Sequence, residues 1–351
     1  MNVLCIMDQG TRLHAVSDSL VLIKDKVELK RFRTEEFSQI QLFGRIECTS
    51  SAIALLAKKN VDILFLTRMG SFRFRLASKS GTHAALKISQ LKSAASIPFA
   101  VKIASAIVKS KILQQRAFLL RHQLKLKDEA IADALARIRT LAEQLSSATA
   151  IDTILGFEGF AASLYFSHFH KLIANPDLPF NGRSRRPPLD PVNACLSFAY
   201  TMFQYVIESE LFIRGLEPSI GFLHQPLANR PSLALDILEE FRPLLDSFVL
   251  RLINRGQLTS LDFEYHSGKS LDEILAEEFD SAQDDSNIQG CFLNANGRKI
   301  FLAAFYSRLR ETMFFNPRQV SLDVRGIVRE QVQHLARVIE NKELVYIPFT
   351  P

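Results

Sequence analysis

The period at which apolar residues recur changes once along this chain, near residue 80, and that change bounds what it can fold into. Before it come short alternating or β-rich runs at 3–7, 13–16, 19–24, 27–32, 40–43, 61–66 and 71–76, with one helical stretch at 50–59. After Ser80-Gly81 the spacing becomes three and four, over 100–126, 129–145, 151–173, 191–213, 232–252, 298–314 and 324–339. The expectation is an α+β protein: a small N-terminal β-rich domain over 1–80, then a larger all-α domain over 81–351. A chain of 351 residues suits two such domains. Residues 261–290 are acidic and read as a helix followed by an exposed loop.

Charge is distributed unevenly. The formal net charge is only +6, yet between Ile63 and Lys127 there are thirteen Lys or Arg and no Asp or Glu. Solvated helices usually mix signs, so this run points to a polyanion, with phosphate contacts supplying affinity rather than sequence readout. Lys102, Lys109, Lys111 and Arg116 lie in it, and Arg183, Arg185 and Arg186 form a second cluster. A helical enzyme acting on small metabolites would leave this basic stretch without a purpose.

Several classes are excluded or disfavoured. Asp8 interrupts the N-terminal apolar run before it reaches signal-peptide length, and no uninterrupted apolar span reaches about 18 residues. Cys5, Cys48, Cys195 and Cys291 are far apart with no C-x-x-C, which suits reduced thiols. A cytoplasmic protein without a membrane segment is expected. Gly268-Lys269-Ser270 resembles the end of a phosphate-binding loop, but Phe263 stands where the earlier glycine is needed.

Four residues carry the chemistry. Glu158 is the single acid between Asp152 and Asp177, on a largely apolar helix where an unpaired carboxylate is costly. Tyr165, seven residues on, shares its face. His224 sits in a loop, Gly221-Phe222-Leu223-His224-Gln225-Pro226. Asp236 and Glu239, three apart on a helix that Ser232 opens, point the same way. Oxygen ligands with one imidazole suit a divalent cation, although an acid pair and a loop histidine are each more often surface features, and spacing alone does not join them.

These segments resemble the CRISPR-associated spacer integrase family. The matching residues are Glu158-Gly159 through Tyr165-Phe166, Gly221 to His224, and Ser232-Leu233 through Asp236 and Glu239 to Phe241-Arg242. A fourth block, Phe180-Asn181-Gly182-Arg183-Ser184-Arg185-Arg186-Pro187-Pro188 with Asp190 and Asn193 opening a helix, follows the same family order. The resemblance implies a catalytic helical domain in which Glu158, His224 and Glu239 hold Mg²⁺ or Mn²⁺, with Asp236 either ligating or orienting. It implies strand transfer of DNA fragments into CRISPR repeats, with associated endonuclease activity. It also implies double-stranded DNA as a partner, a homodimer built through the β domains, and a small ferredoxin-like CRISPR-associated partner protein. Lys102, Lys109, Lys111, Arg116, Arg183, Arg185, Arg186, Arg242 and Tyr165 are the expected DNA contacts. The alternatives are a structure-specific nuclease or transposon-type integrase on the same scaffold, and a non-catalytic DNA-binding module. The β-prone end, 344–349, either meets the partner or is a tucked terminus.

Overall fold

The computed structural model describes residues 2–76, 83–185, 187–268 and 289–351. These fall into two compact units that part between residues 76 and 83.

The first unit is two four-stranded sheets and a helix. Its elements are β1 (Asn2–Ile6), β2 (Arg12–Val16), β3 (Ser19–Lys24), β4 (Val27–Arg33), β5 (Phe37–Phe43), β6 (Glu47–Cys48), α1 (Ser50–Lys58), β7 (Asp62–Leu66) and β8 (Phe72–Leu76). One sheet has the order β1-β5-β7-β8, with β8 alone antiparallel; the other has the order β4-β3-β2-β6. Asp25 and Lys26, both at positive φ, make the tight turn whose twist suits the β3–β4 hairpin. Strand β5 is central and parallel-paired, which is why Ile40 to Phe43 includes a buried polar residue, Gln41, only with a partner, Gln39. Leu13, Leu20, Ile40, Leu42, Leu56 and Ile63 form the core, and Thr49 caps α1 by accepting from Ala52 N at 3.3 Å.

The second unit is mostly helical: α2 (Ala84–Ala95), α3 (Ile97–Leu126), α4 (Glu129–Gln144), α5 (Ile151–Phe169), α6 (Pro191–Arg214), α7 (Ser232–Asn254), α8 (Ala295–Arg310) and α9 (Val324–Ile339). It is the larger helical domain that the sequence suggests, with short strands added. Strands β9 (Phe263–His266) and β10 (Gly290–Leu293) pair, as do β11 (Thr312–Phe315) and β12 (Val320–Asp323). The helix expected to reach residue 314 therefore stops at Arg310, because 312–315 alternate exposed and inward residues in a hairpin. The acidic segment opens on the end of a 3-10 turn and β9 rather than a longer helix; most of the remainder lies outside the described residues. Helix α2 escaped the sequence reading because it buries Leu86 and Gln90 while exposing Ile88 and Leu91, so no apolar stripe shows.

Capping fixes the helix ends that matter below. Asp190 accepts from Asn193 N at 2.8 Å with Pro191 at the first helical position, and α6 ends at Gly215. There φ is +87°, and an added Cβ would strike the His83 ring. Helix α7 packs on α3 and α6 and is buried around most of its surface. Its polar side chains Asp236, Glu239, Glu240 and Asp246 must therefore find partners inside the protein. The C-terminal segment is a tucked end: Phe349 stacks on Phe241 at 4.7 Å between centroids, and Tyr346 is buried against Glu240. None of the four cysteines is in a disulfide. Among the described residues no single helix is long and apolar enough to cross a membrane.

Candidate active site

Three helices and one loop bring the chemistry together. Helix α3 supplies Lys111, α5 supplies Glu158, α7 supplies Asp236, Glu239 and Arg242, and the loop before α7 supplies His224. Helix α3 packs against both α5 and α7, so its inner stripe (Ile103, Ile107, Lys111, Gln115) faces the acids.

Asp236, fully buried, organises the loop. Its Oδ2 accepts from Phe222 N at 2.5 Å and Leu223 N at 3.0 Å; its Oδ1 accepts from His224 N at 2.9 Å and meets His224 Nδ1 at 2.7 Å. Four bonds fill the carboxylate, so Asp236 orients the loop and the His224 ring. Since the carboxylate accepts, the His224 proton lies on Nδ1 and the Nε2 lone pair is left for a ligand. The loop comes this close because residue 221 is glycine. A Cβ there would stand 2.8 Å from Asp236 Oδ2 and 2.9 Å from the Ser232 carbonyl carbon.

Glu158 and Glu239 share one cation, and it is a protein group. Lys111 Nζ donates to Glu239 Oε2 at 2.6 Å and to Glu158 Oε1, with Lys111 only 2% exposed. Arg242 Nε donates to Glu239 Oε1 at 2.8 Å, and its guanidinium lies 4.4 Å over the Tyr200 ring. Burial alone would push the Glu239 carboxyl up. The Arg242 and Lys111 charges, with His224, outweigh it and hold Glu239 well below the usual carboxylate range. Behind them, Asp246 accepts from Tyr200 Oη, and burial lifts its carboxyl to about 6 against the pull of Tyr200, Arg242 and Arg183.

The sequence-predicted residues divide accordingly. Glu158 and Glu239 meet on Lys111, and His224 lies close enough to Glu239 to bear on its carboxyl. Among the described residues, no three His, Cys, Asp or Glu side chains as placed close around one ion position. Two expected DNA contacts are corrected. Lys111 is buried on the acids, and Tyr165 is fully buried among Phe118, Phe166 and Phe169, out of reach of a phosphate or base. Arg183 and Arg116 are committed within the fold. Arg183 bonds the Ser184 carbonyl and Asn193 Oδ1, and Arg116 Nε donates to the Leu135 carbonyl at 3.1 Å. Arg242 is paired with Glu239. Lys102, Lys109 and Arg185 are exposed; Arg186 lies outside the described residues. Sequence reasoning missed the buried pairing of Lys111 and the Tyr200–Asp246 support. The first left a trace, a lysine on the four-residue stripe that Ile103, Ile107 and Gln115 bury.

The family described as "CRISPR associated protein Cas1" matches residues 4–279. A "CRISPR-associated endonuclease Cas1 2" of Rhodospirillum rubrum is 36% identical over 292 residues, covering 79% of this chain and 83% of that relative. Among solved structures, a casposase bound to integration product superposes with a TM-score of 0.80 at 20% identity, covering 99% of this chain and 93% of that one. A Cas6-RT-Cas1–Cas2 complex gives a TM-score of 0.78 at 24% identity, covering 99% of this chain and 36% of that one.

Proposed function

We propose, from the premise that this chain belongs to the CRISPR-associated Cas1 family, that its helical unit is a metal-dependent DNA endonuclease and integrase of CRISPR adaptation. The metal ligands are Glu158, Glu239 and the free Nε2 of His224. The observation that carries this is the gathering of two carboxylates onto one cation beside a histidine whose other nitrogen is already fixed. Two oxygens and an imidazole are the donor chemistry for Mg²⁺ or Mn²⁺.

In joining, a 3′-hydroxyl attacks phosphorus, a new P–O bond forms, and the target strand leaves as a 3′-hydroxyl that takes up a proton. When bound, the cation supplies stabilisation of the charge that builds on the phosphoryl oxygens. The protein's own part is placement. Asp236 fixes the His224 ring and its tautomer, and Arg242 keeps Glu239 ionised and still. Tyr200 supports the Arg242 guanidinium from below. With water in place of the hydroxyl, the same site hydrolyses the strand. Exposed Lys102, Lys109 and Arg185 draw in the DNA backbone. A homodimer supplies two sites for the two ends of a fragment. That a structural neighbour is a Cas6-RT-Cas1–Cas2 complex supports a second CRISPR-associated protein as partner, and a small ferredoxin-like one is proposed. Acting on chromosomal DNA, the protein works in the cytoplasm.

The test is joining of a short duplex with free 3′-hydroxyls to a supercoiled plasmid carrying a CRISPR repeat, with Mn²⁺, Mg²⁺ or EDTA. Joining should require metal and vanish in His224→Ala. Joining that survives EDTA, or survives His224→Ala, would sink the proposal; cleavage without joining would favour a structure-specific nuclease.

A further inference from the structure

We infer that Lys111 is a built-in counter-ion that covers the metal position and yields it by moving its ammonium toward Gln115. The inference rests on the metal reading of the same site. As it stands, two carboxylates (Glu158, Glu239) face two cationic groups (Lys111, Arg242), so the charge is balanced with no metal present. A divalent cation added beside a retained ammonium would be repelled in a buried setting where screening is weak. The ammonium and the ion therefore compete for the same oxygens, Glu239 Oε2 and Glu158 Oε1.

A displaced buried ammonium needs a new acceptor, and one is at hand. Gln115 lies one turn further along α3 on the face of Lys111, is 1% exposed, and its Oε1 is buried with no hydrogen-bond partner. An unsatisfied buried carbonyl oxygen is costly unless another state uses it. The Gln114 side chain also buries an unpartnered Oε1, but its amide is tied to Ser110 Oγ at 3.0 Å, the Glu240 carbonyl at 3.1 Å and the Phe349 carbonyl at 2.8 Å. Gln115 is the freer receiver.

The experiment is Mn²⁺ binding by the full chain, read as loss of the free-ion paramagnetic resonance signal, with melting curves in EDTA and in Mn²⁺. Lys111→Met removes the competitor. A site covered nine-tenths of the time binds about tenfold more weakly than one never covered, so this variant should bind Mn²⁺ about tenfold more tightly than wild type. In EDTA it should melt lower, because two carboxylates then face each other with only Arg242 nearby, and Mn²⁺ should close that gap. Gln115→Leu removes the receiver, keeps the volume, and should weaken Mn²⁺ binding several-fold (the order of one lost hydrogen bond) without lowering the EDTA melting temperature. Equal or weaker Mn²⁺ binding by Lys111→Met would overturn the counter-ion role, and Gln115→Leu provides the check should Lys111→Met not fold. If the wild type binds no Mn²⁺, or His224→Ala binds it equally well, the metal reading itself fails.

Discussion

Glu239 and Glu240 are neighbours of the same residue type on one buried helix, yet their surroundings push their carboxyls in opposite directions. Glu239 turns toward Lys111 and Arg242 and is held ionised. Glu240 turns toward the C-terminal segment, accepting from Tyr346 Oη, from Phe349 N at 2.7 Å and from Gln331 Nε2 at 2.8 Å. No cation faces it in these bonds. Burial pushes its carboxyl up to about 7, and the hydrogen bonds only partly offset that. One side of α7 is built to concentrate charge; the other uses the same group as a hydrogen-bonded clasp. What separates chemistry from architecture here is not the residue but which helix packs against it: α3 with a lysine, or the returning chain end with amide and phenol donors.

Exchanging the two glutamates for alanine should break the comparison most visibly. Glu239→Ala should reduce joining and Mn²⁺ affinity by more than about a hundredfold, since losing even an outer partner of a metal ligand costs about 10- to 100-fold. Glu240→Ala should leave activity per folded molecule close to wild type, while stranding three donors and costing about 3 kcal/mol of stability. Activity and denaturant unfolding measured on both variants check this. Equal activity losses in both would mean that the two faces are not separate.

The acid dependence of stability should sharpen it. Glu240 ordinarily titrates near 4.5 and is held at about 7, so the folded state keeps a proton that the unfolded chain has released. That stabilisation is fully present below about 4.5 and is lost as pH rises through about 7, at most on the order of 3 kcal/mol. Glu239, held low, runs the other way: its contribution is present above its ordinary range and lost as pH falls toward its folded value. In EDTA, Glu240→Gln should flatten the decline between pH 5 and 8, and Glu239→Gln should leave that decline unchanged. A wild-type profile flat over this interval would show that Glu240 titrates normally.

How much of this could be read from the chain depends on whether a role is local. The strands before residue 76 and the helices carrying Glu158 and Asp236 were legible, because alternation and three-four spacing are set by which face is buried. Glu158 and His224 were singled out from their own segments. The division of labour between Asp236 and Glu239 was not, since both sit on one face. Only the return of 221–224 over the start of α7, where Gly221 permits it, fills Asp236 with donors. Lys111 misled for a related reason. In a stretch without acids it reads as surface charge, and its carboxylate partners lie 47 and 128 residues away. The antiparallel pairs β9–β10 and β11–β12 were hidden because four-residue strands beside longer helices carry too little periodicity.

The same contrast, outward against inward, divides the basic residues, and there the expected effects are smallest. Lys109 is exposed with its ammonium 3.0 Å from Ser146 Oγ, a contact that a phosphate can replace at little cost. Lys109→Ala should weaken DNA binding several-fold and equally across sequences, and lower the slope of log affinity against log salt by about 1. Arg116 carries the same charge but spends it on the Leu135 carbonyl, joining α3 to α4. Arg116→Ala should lower stability and leave the salt slope as it is. Binding titrations at several salt concentrations separate the two. Should Arg116→Ala reduce the slope as much as Lys109→Ala, the half-buried arginine reaches DNA after all, and burial would no longer tell which charges of the acid-free stretch face the polyanion.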